Sequence, residues 1–282
     1  MVQRNMGDSP DQVQERDGET ASGLASYVYT IGKVEMRLPS LAVEKELAQV
    51  LGQGETAGLT DGQALNSVLS LRQNRYLARR MCWVLTIEGL TTYILQPRDP
   101  ADLDLLLEAV RPVPNPADMD VVIGLRGPIA PPDMCNGLML PIVVFDQIYS
   151  FDADSLINAI PRPATIPEDQ EPLFRAAATE LFWRIMQIAD NAGATDEHRA
   201  LNYLAVRDPA VYATAAQAFG RDFSLTEVEV RPSRLSGTRR IVDVILSFQP
   251  RQFGAMEQYF VRVDVTEEFP FLVTPMSQYY ER

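Results

Sequence analysis

The stretch Val121–Asp146, VVIGLRGPIAPPDMCNGLMLPIVVFD, constrains the fold more than any other part of the chain. Two apolar β-type runs, Val121–Leu125 and Leu138–Phe145, flank a loop, Arg126–Gly137, that is dense in Gly and Pro. Short continuous runs of branched and aromatic residues bounded by turn residues read as buried strands. The loop between them reads as a rigid crossover. It carries Cys135 and the polar side chains Arg126, Asp133 and Asn136, which makes it the first candidate for a recognition surface.

The rest of the chain supplies further elements. Met1–Gly23 holds almost no large apolar side chains, cannot offset its ordering entropy, and is expected to be a disordered tail or linker. A strand is expected from Tyr27. Ser40 then caps a helix over Leu41–Leu51, with Gly52 just past its end. Thr60 or Asp61 starts a second helix, and Asn74–Arg80 a short third one. Two β-rich runs after Cys82 meet at Glu88-Gly89, the signature of a tight hairpin. Asp99 and Pro100 begin a helix to Val110, and Asp152 and Asp154 another that ends near Ile160. The proline-rich Pro161–Pro167 marks a boundary. Beyond it come helices over Glu171–Gly193, Asp196–Val206 and Pro209–Phe219. Strands follow over Phe223–Val230, Arg240–Phe248, Glu257–Val265 and Phe271–Thr274. Helices followed by a meander give an α+β order with mainly antiparallel sheets. The expected division is a tail over 1–23, one domain over 24–163 and a second over 164–282.

Charge narrows the partners. The 282 residues carry a net charge of −13, which repels phosphate backbones and anionic lipid headgroups, so neither nucleic acid nor membrane is expected. No apolar run approaches the length of a membrane span, and the N-terminus lacks an apolar leader. Two cysteines make no secreted disulfide framework and fit a reducing cytoplasm.

Candidate chemistry is sparse. The one histidine, His198, falls on an expected helix and reads as a structural residue. No serine sits in a nucleophile elbow. Gly52–Gly58 lacks the lysine of a phosphate loop and follows a helix rather than a strand. The pairs Asp118/Asp120, Asp152/Asp154 and Glu267/Glu268 are accounted for by capping and solvation. Cys82 and Cys135 read as two small hydrophobes. The alternative is a zinc site of four thiolates, which needs a twofold dimer to supply the second pair. Two basic groups stand out, Arg72/Arg75/Arg79/Arg80 and Arg231/Arg234/Arg239/Arg240. Each is either a salt-bridged surface or a dock for an acidic peptide, with Arg79 and Arg80 the candidate contacts.

Several strings carry a family resemblance. They are Glu88-Gly-Leu with Tyr93-Ile-Leu-Gln-Pro-Arg-Asp-Pro, and Gly124-Leu-Arg-Gly-Pro-Ile-Ala-Pro-Pro-Asp-Met-Cys-Asn-Gly. Asn74-Arg-Tyr-Leu-Ala-Arg and Pro141-Ile-Val-Val-Phe-Asp-Gln fit as well. Together they resemble the C-terminal region of cyanobactin maturation proteins of the PatG and PatA type. The likeness runs from about Tyr27 to the C-terminus, over a domain of unknown function and the segment after it. In that family the unit is attached to a subtilisin-like protease or macrocyclase that processes a ribosomal precursor peptide. The resemblance implies that pathway but not that chemistry, because this chain has one histidine and no protease motif.

The resulting expectation is a non-catalytic binding or assembly module of ribosomal-peptide maturation, cytoplasmic and homodimeric. It would contact a precursor peptide or a maturation protease through Arg126, Asp133, Asn136, Arg79 and Arg80, without a cofactor. The alternatives are a cryptic enzyme that uses Asp133, Cys135 and Asn136 in the 126–137 loop, and a purely structural oligomerisation scaffold.

Overall fold

A computed structural model describes residues 26–53, 58–162, 164, 166–188 and 190–280. The expected tail over 1–23 lies outside them. The first strand, β1 (Tyr27–Arg37), leads into three helices, α1 (Leu41–Gln53), α2 (Asp61–Ser70) and α3 (Arg75–Ala78). Thr60 caps α2 in a capping box closed by Gln63. Gly52 lies inside α1 rather than beyond it. The chain continues through β2 (Cys82–Ile87), β3 (Leu90–Pro97), α4 (Leu103–Ala109), β4 (Asp118–Ile129) and β5 (Pro141–Asp152). Glu88 and Gly89 join β2 to β3 with φ of 49° and 80°, the two-residue turn that matches the twist of a hairpin.

These five strands close into a barrel in the order β1-β2-β3-β5-β4. All pairings are antiparallel except β3 with β5, which is parallel over Ile94–Pro97 and Ile142–Phe145. With a helix crossing from β3 to β4, this is the topology of the five-stranded Greek-key barrels that bind ligands across their β2–β3 face.

The second half adds α5 (Ala153–Ala159), α6 (Glu171–Met186), α7 (Asp196–Arg207), α8 (Pro209–Gly220) and strands β6 (Phe223–Pro232), β7 (Ile241–Pro250), β8 (Glu257–Asp264) and β9 (Phe271–Gln278). The strands form an antiparallel meander, β6-β7-β8-β9. The fold is α+β. α6 stops at Met186, seven residues short of the expected end at Gly193. Gly193 is needed elsewhere. Its φ is 68°, its carbonyl accepts from the amide of Tyr29, and a Cβ there would come within 2.4 Å of the Tyr29 carbonyl.

The long apolar runs now have a cause. On β1, Val28 and Val34 point into the barrel, whereas Tyr29 and Ile31 join the cluster built by α6, α7, α8 and the meander. On β4, Val122 faces the barrel, and Val121 and Ile123 face the helices. A strand buried on both faces shows no polar alternation, which is why VVIGL is continuous. One apolar cluster therefore contains residues from both sides of position 163. At Gly124 a Cβ would lie 2.3 Å from the Val144 carbonyl, and the β4–β5 register shifts there.

Candidate functional site

Three segments meet at one end of the barrel beside the start of β2 and the end of β3. One is the turn after α3, where Arg79 and Arg80 leave the helix. Leu77 and Ala78 bury beneath it, and the indole N–H of Trp83 donates to the Ala78 carbonyl at 2.9 Å, fixing the turn to β2. A second is the β4–β5 loop, 130–140. The third is the connection from β3 to α4, where Asp99 caps the first turn through the Ala101 amide.

Between them lies a groove of about 660 Å³. Its floor is apolar: Met81, Trp83, Ile94, Leu95 and Leu103 line it and all are buried. Its rim is polar, with Ser40, Arg79, Arg80, Gln96 and Asp133. The groove sits between the β1–β2 connection and the β4–β5 loop, over β2 and β3, the place where barrels of this topology hold ligands. Two further hollows, of about 490 and 630 Å³, share Arg79 with it.

The electrostatics of the rim are uneven. Among the described residues, the side chains of Arg72, Arg79 and Arg80 make no ion pair or hydrogen bond, whereas Arg75 pairs with Asp104. An exposed guanidinium with free donors has the chemistry to pair with a carboxylate.

The groove gathers three of the five expected binding residues, Arg79, Arg80 and Asp133. The other two lie outside its lining. Arg126 belongs to β4, not to the loop, because the strand runs on to Ile129. Asn136 has φ of 49° and with Gly137, at 87°, makes the loop's tight left-handed turn. Gln96 and Met134 were missed. The amide of Gln96 lies 3.8 Å from the Met134 sulfur across the groove, and no local signal marks a pairing across 38 positions.

The cysteines are corrected most sharply. Cys82 and Cys135 are joined as a disulfide, with Cα atoms 5.5 Å apart. They are not two separate hydrophobes. A cross-dimer site of four thiolates does not fit either, since both sulfurs are turned inward onto each other and the residues are 4% and 3% exposed. For the same reason the 126–137 loop offers no thiolate nucleophile. His198 lies on α7, its imidazole pKa lowered by burial, and does not line the groove. Among the described residues no group of three His, Cys, Asp or Glu side chains could hold a metal ion. No helix among them is long and apolar enough to cross a membrane.

Comparison with known proteins agrees with this picture. Residues 168–279 match the family model of the PatG C-terminal region. Over those residues the chain is similar to the PatG C-terminal region. A solved structure of a PatG domain of unknown function superposes with a TM-score of 0.73 and 20% identity, covering 90% of this chain and 99% of that one. At that identity the likeness is one of fold. No curated protein matches the chain. The groove falls before residue 168, outside the matched PatG C-terminal region.

Proposed function

We propose that the chain is a non-catalytic binding module whose barrel groove holds an extended, carboxylate-bearing peptide segment. In the setting of ribosomal-peptide maturation, that segment belongs to a precursor peptide or to an acidic stretch of a processing enzyme. The observation that carries the reading is the pair of guanidinium groups, Arg79 and Arg80, that have no partner among the described residues and lie over the apolar floor of the groove. Arginines above buried Trp83, Ile94 and Leu95 suit a ligand that alternates acidic and apolar side chains. Such a segment lies extended, and the period of two puts its two kinds of side chain on opposite faces.

Barrels of this topology also bind oligonucleotides, but that is an analogy of fold alone, and the chain's charge of −13 opposes it. The test is fluorescence anisotropy with a labelled decapeptide alternating Glu with Leu or Phe. A Gln-for-Glu version and a single-stranded oligonucleotide of the same length serve as the other arms. Binding of the acidic peptide with Kd on the order of 10 μM, weakened at least about tenfold in the Gln version, is the expected result. Absence of binding up to about 100 μM, or preference for the oligonucleotide, overturns the reading.

A further inference from the structure

The 130–140 loop forms one wall of the groove through Asp133 and Met134, the two residues before Cys135. Its hydrogen bonds are turned in on itself. Ala130 donates to Leu140 at 2.8 Å, Met134 to Pro131 at 3.1 Å, Gly137 to Pro132 at 2.7 Å and Leu138 to Cys135 at 3.0 Å. Toward the opposite wall the loop has the long contact from Gln96 to Met134, the apolar packing of Ala130, Met134, Cys135, Leu138 and Leu140 around Cys82, Val84 and Ile94, and the bond from Cys135 to Cys82. Cys82 opens β2 and follows Arg79, Arg80 and Met81 directly. One covalent bond thus ties the arginine wall to the loop wall, and Cys82 itself lines the groove.

We propose that this disulfide gates the groove: oxidised, it holds the two walls at binding distance, and reduced, it releases the loop and weakens peptide binding. The proposal rests on the peptide-binding reading and adds its regulation. Without the bond, the loop must be ordered at the moment of binding, and that ordering cost is subtracted from affinity. In the switching step the 130–140 loop opens locally and exposes the buried bond, and a dithiol reductant of the thioredoxin class attacks one sulfur as thiolate and passes through a mixed disulfide. Cys82 and Cys135 end as two thiols and the reductant as its own disulfide, two electrons and two protons having been transferred. Reoxidation takes the same electrons to a small disulfide such as oxidised glutathione. Linkage requires the reverse effect: a peptide over Cys82 favours the oxidised form by the same factor by which oxidation favours the peptide. A tenfold change in affinity corresponds to about 30 mV in the reduction potential of the pair.

The experiment uses the full chain, oxidised or treated with tris(2-carboxyethyl)phosphine, with the thiol count read by intact mass after alkylation. Anisotropy with the labelled decapeptide and amide hydrogen exchange over 130–140 are measured on both forms, and circular dichroism checks that the reduced form stays folded. The expected result is binding at least about tenfold weaker on reduction. Loop exchange is faster in the reduced form, and Cys82→Ser/Cys135→Ser behaves like it with no response to reductant. Equal affinity in the two forms, or two free thiols under oxidising conditions, overturns the inference. If neither form binds the peptide, the peptide reading fails on its own account. Loop exchange then decides whether the bond controls the loop: unchanged exchange overturns the clamp, and faster exchange supports it.

Discussion

The arginines at the mouth of the barrel and those around the meander have similar spacing in the sequence and opposite fates in the fold. Around the meander, Arg239 pairs with Asp264, Arg240 with Asp196 at 3.0 Å, and Arg262 with Asp243 at 2.9 Å. Arg231 reaches Glu229 and stacks over the Tyr279 ring. Within the expected second group only Arg234 lacks a partner among the described residues. At the barrel, Arg75 alone of the first group is paired among the described residues. Arg262 and Asp243 are register partners on neighbouring strands, and Arg239 and Arg240 lie just before β7, where they reach Asp264 at the end of β8 and Asp196 at the start of α7. Arg79 and Arg80 follow a four-residue helix and face a hollow, where no described residue pairs with them. Partnered arginine is spent on structure, and partnerless arginine over an apolar floor is available to a ligand.

Arg199 is the extreme of the structural kind and gives the largest expected effect. It is 1% exposed on α7, its guanidinium donates to the carbonyls of Val265, Glu267 and Glu268, and it stacks on Tyr27. Burial pulls its pKa down to about 10, still far above neutrality, so it stays charged. Arg199→Met leaves three carbonyls without their donor and should cost about 3–5 kcal/mol in urea unfolding. A loss below about 1 kcal/mol would break the distinction between the two groups.

A smaller effect comes from the place where barrel and meander touch. Glu268, after β8, faces Asp146 of β5, with Arg98 2.7 Å from Asp146 and 3.9 Å from Glu268. Burial, then the facing Asp146 carboxyl, raises the pKa of Glu268 from its ordinary 4.5 to about 7, against the pull of Arg98 and Arg199. The folded form therefore holds this proton more tightly than the unfolded form between those two values. Stability contributed by the pair is complete below pH 4.5, falls as pH rises to about 7, and is level above it. Glu268→Gln should remove that slope, on the order of 1 kcal/mol once solvent screening is allowed for. Urea midpoints at pH 5 and pH 8 check it. An unchanged slope in the variant would detach the junction from this carboxyl pair.

How far the sequence spoke differs between the same two regions. The meander and its helices were legible because turns, caps and apolar periods are local signals. Thr195 caps α7, Asp208 and Pro209 start α8, and the strands fell within a few residues of their observed ends. The barrel was legible as strands but not as a barrel. Closure depends on β3 meeting β5 in parallel, a pairing between residues some 48 positions apart that no adjacent residues encode. The groove was half legible: chemistry pointed to Arg79, Arg80 and Asp133, which closure then brought together. The disulfide was missed because composition argued for reduced thiols, and spacing along a chain says nothing of distance in space.

Two surface tests end the series. Arg239→Ala removes an exposed guanidinium from the buried Asp264 carboxylate, which keeps the Thr266 amide as a donor at 2.9 Å, so a loss smaller than that at Arg199 is expected in urea unfolding. Arg79→Ala with Arg80→Ala removes side chains that touch no described partner, and stability should move by less than about 0.5 kcal/mol. Its effect belongs to binding. Two charge-assisted contacts at about 1.5 kcal/mol or more each predict at least a tenfold loss of affinity for the acidic decapeptide, with the Gln-for-Glu peptide nearly unaffected. Rising salt should weaken the parent and leave the variant flat, since screening acts on charges that remain. If instead the double variant unfolds easily and binds as before, the two arginine groups are alike, and the groove loses its claim to be the site.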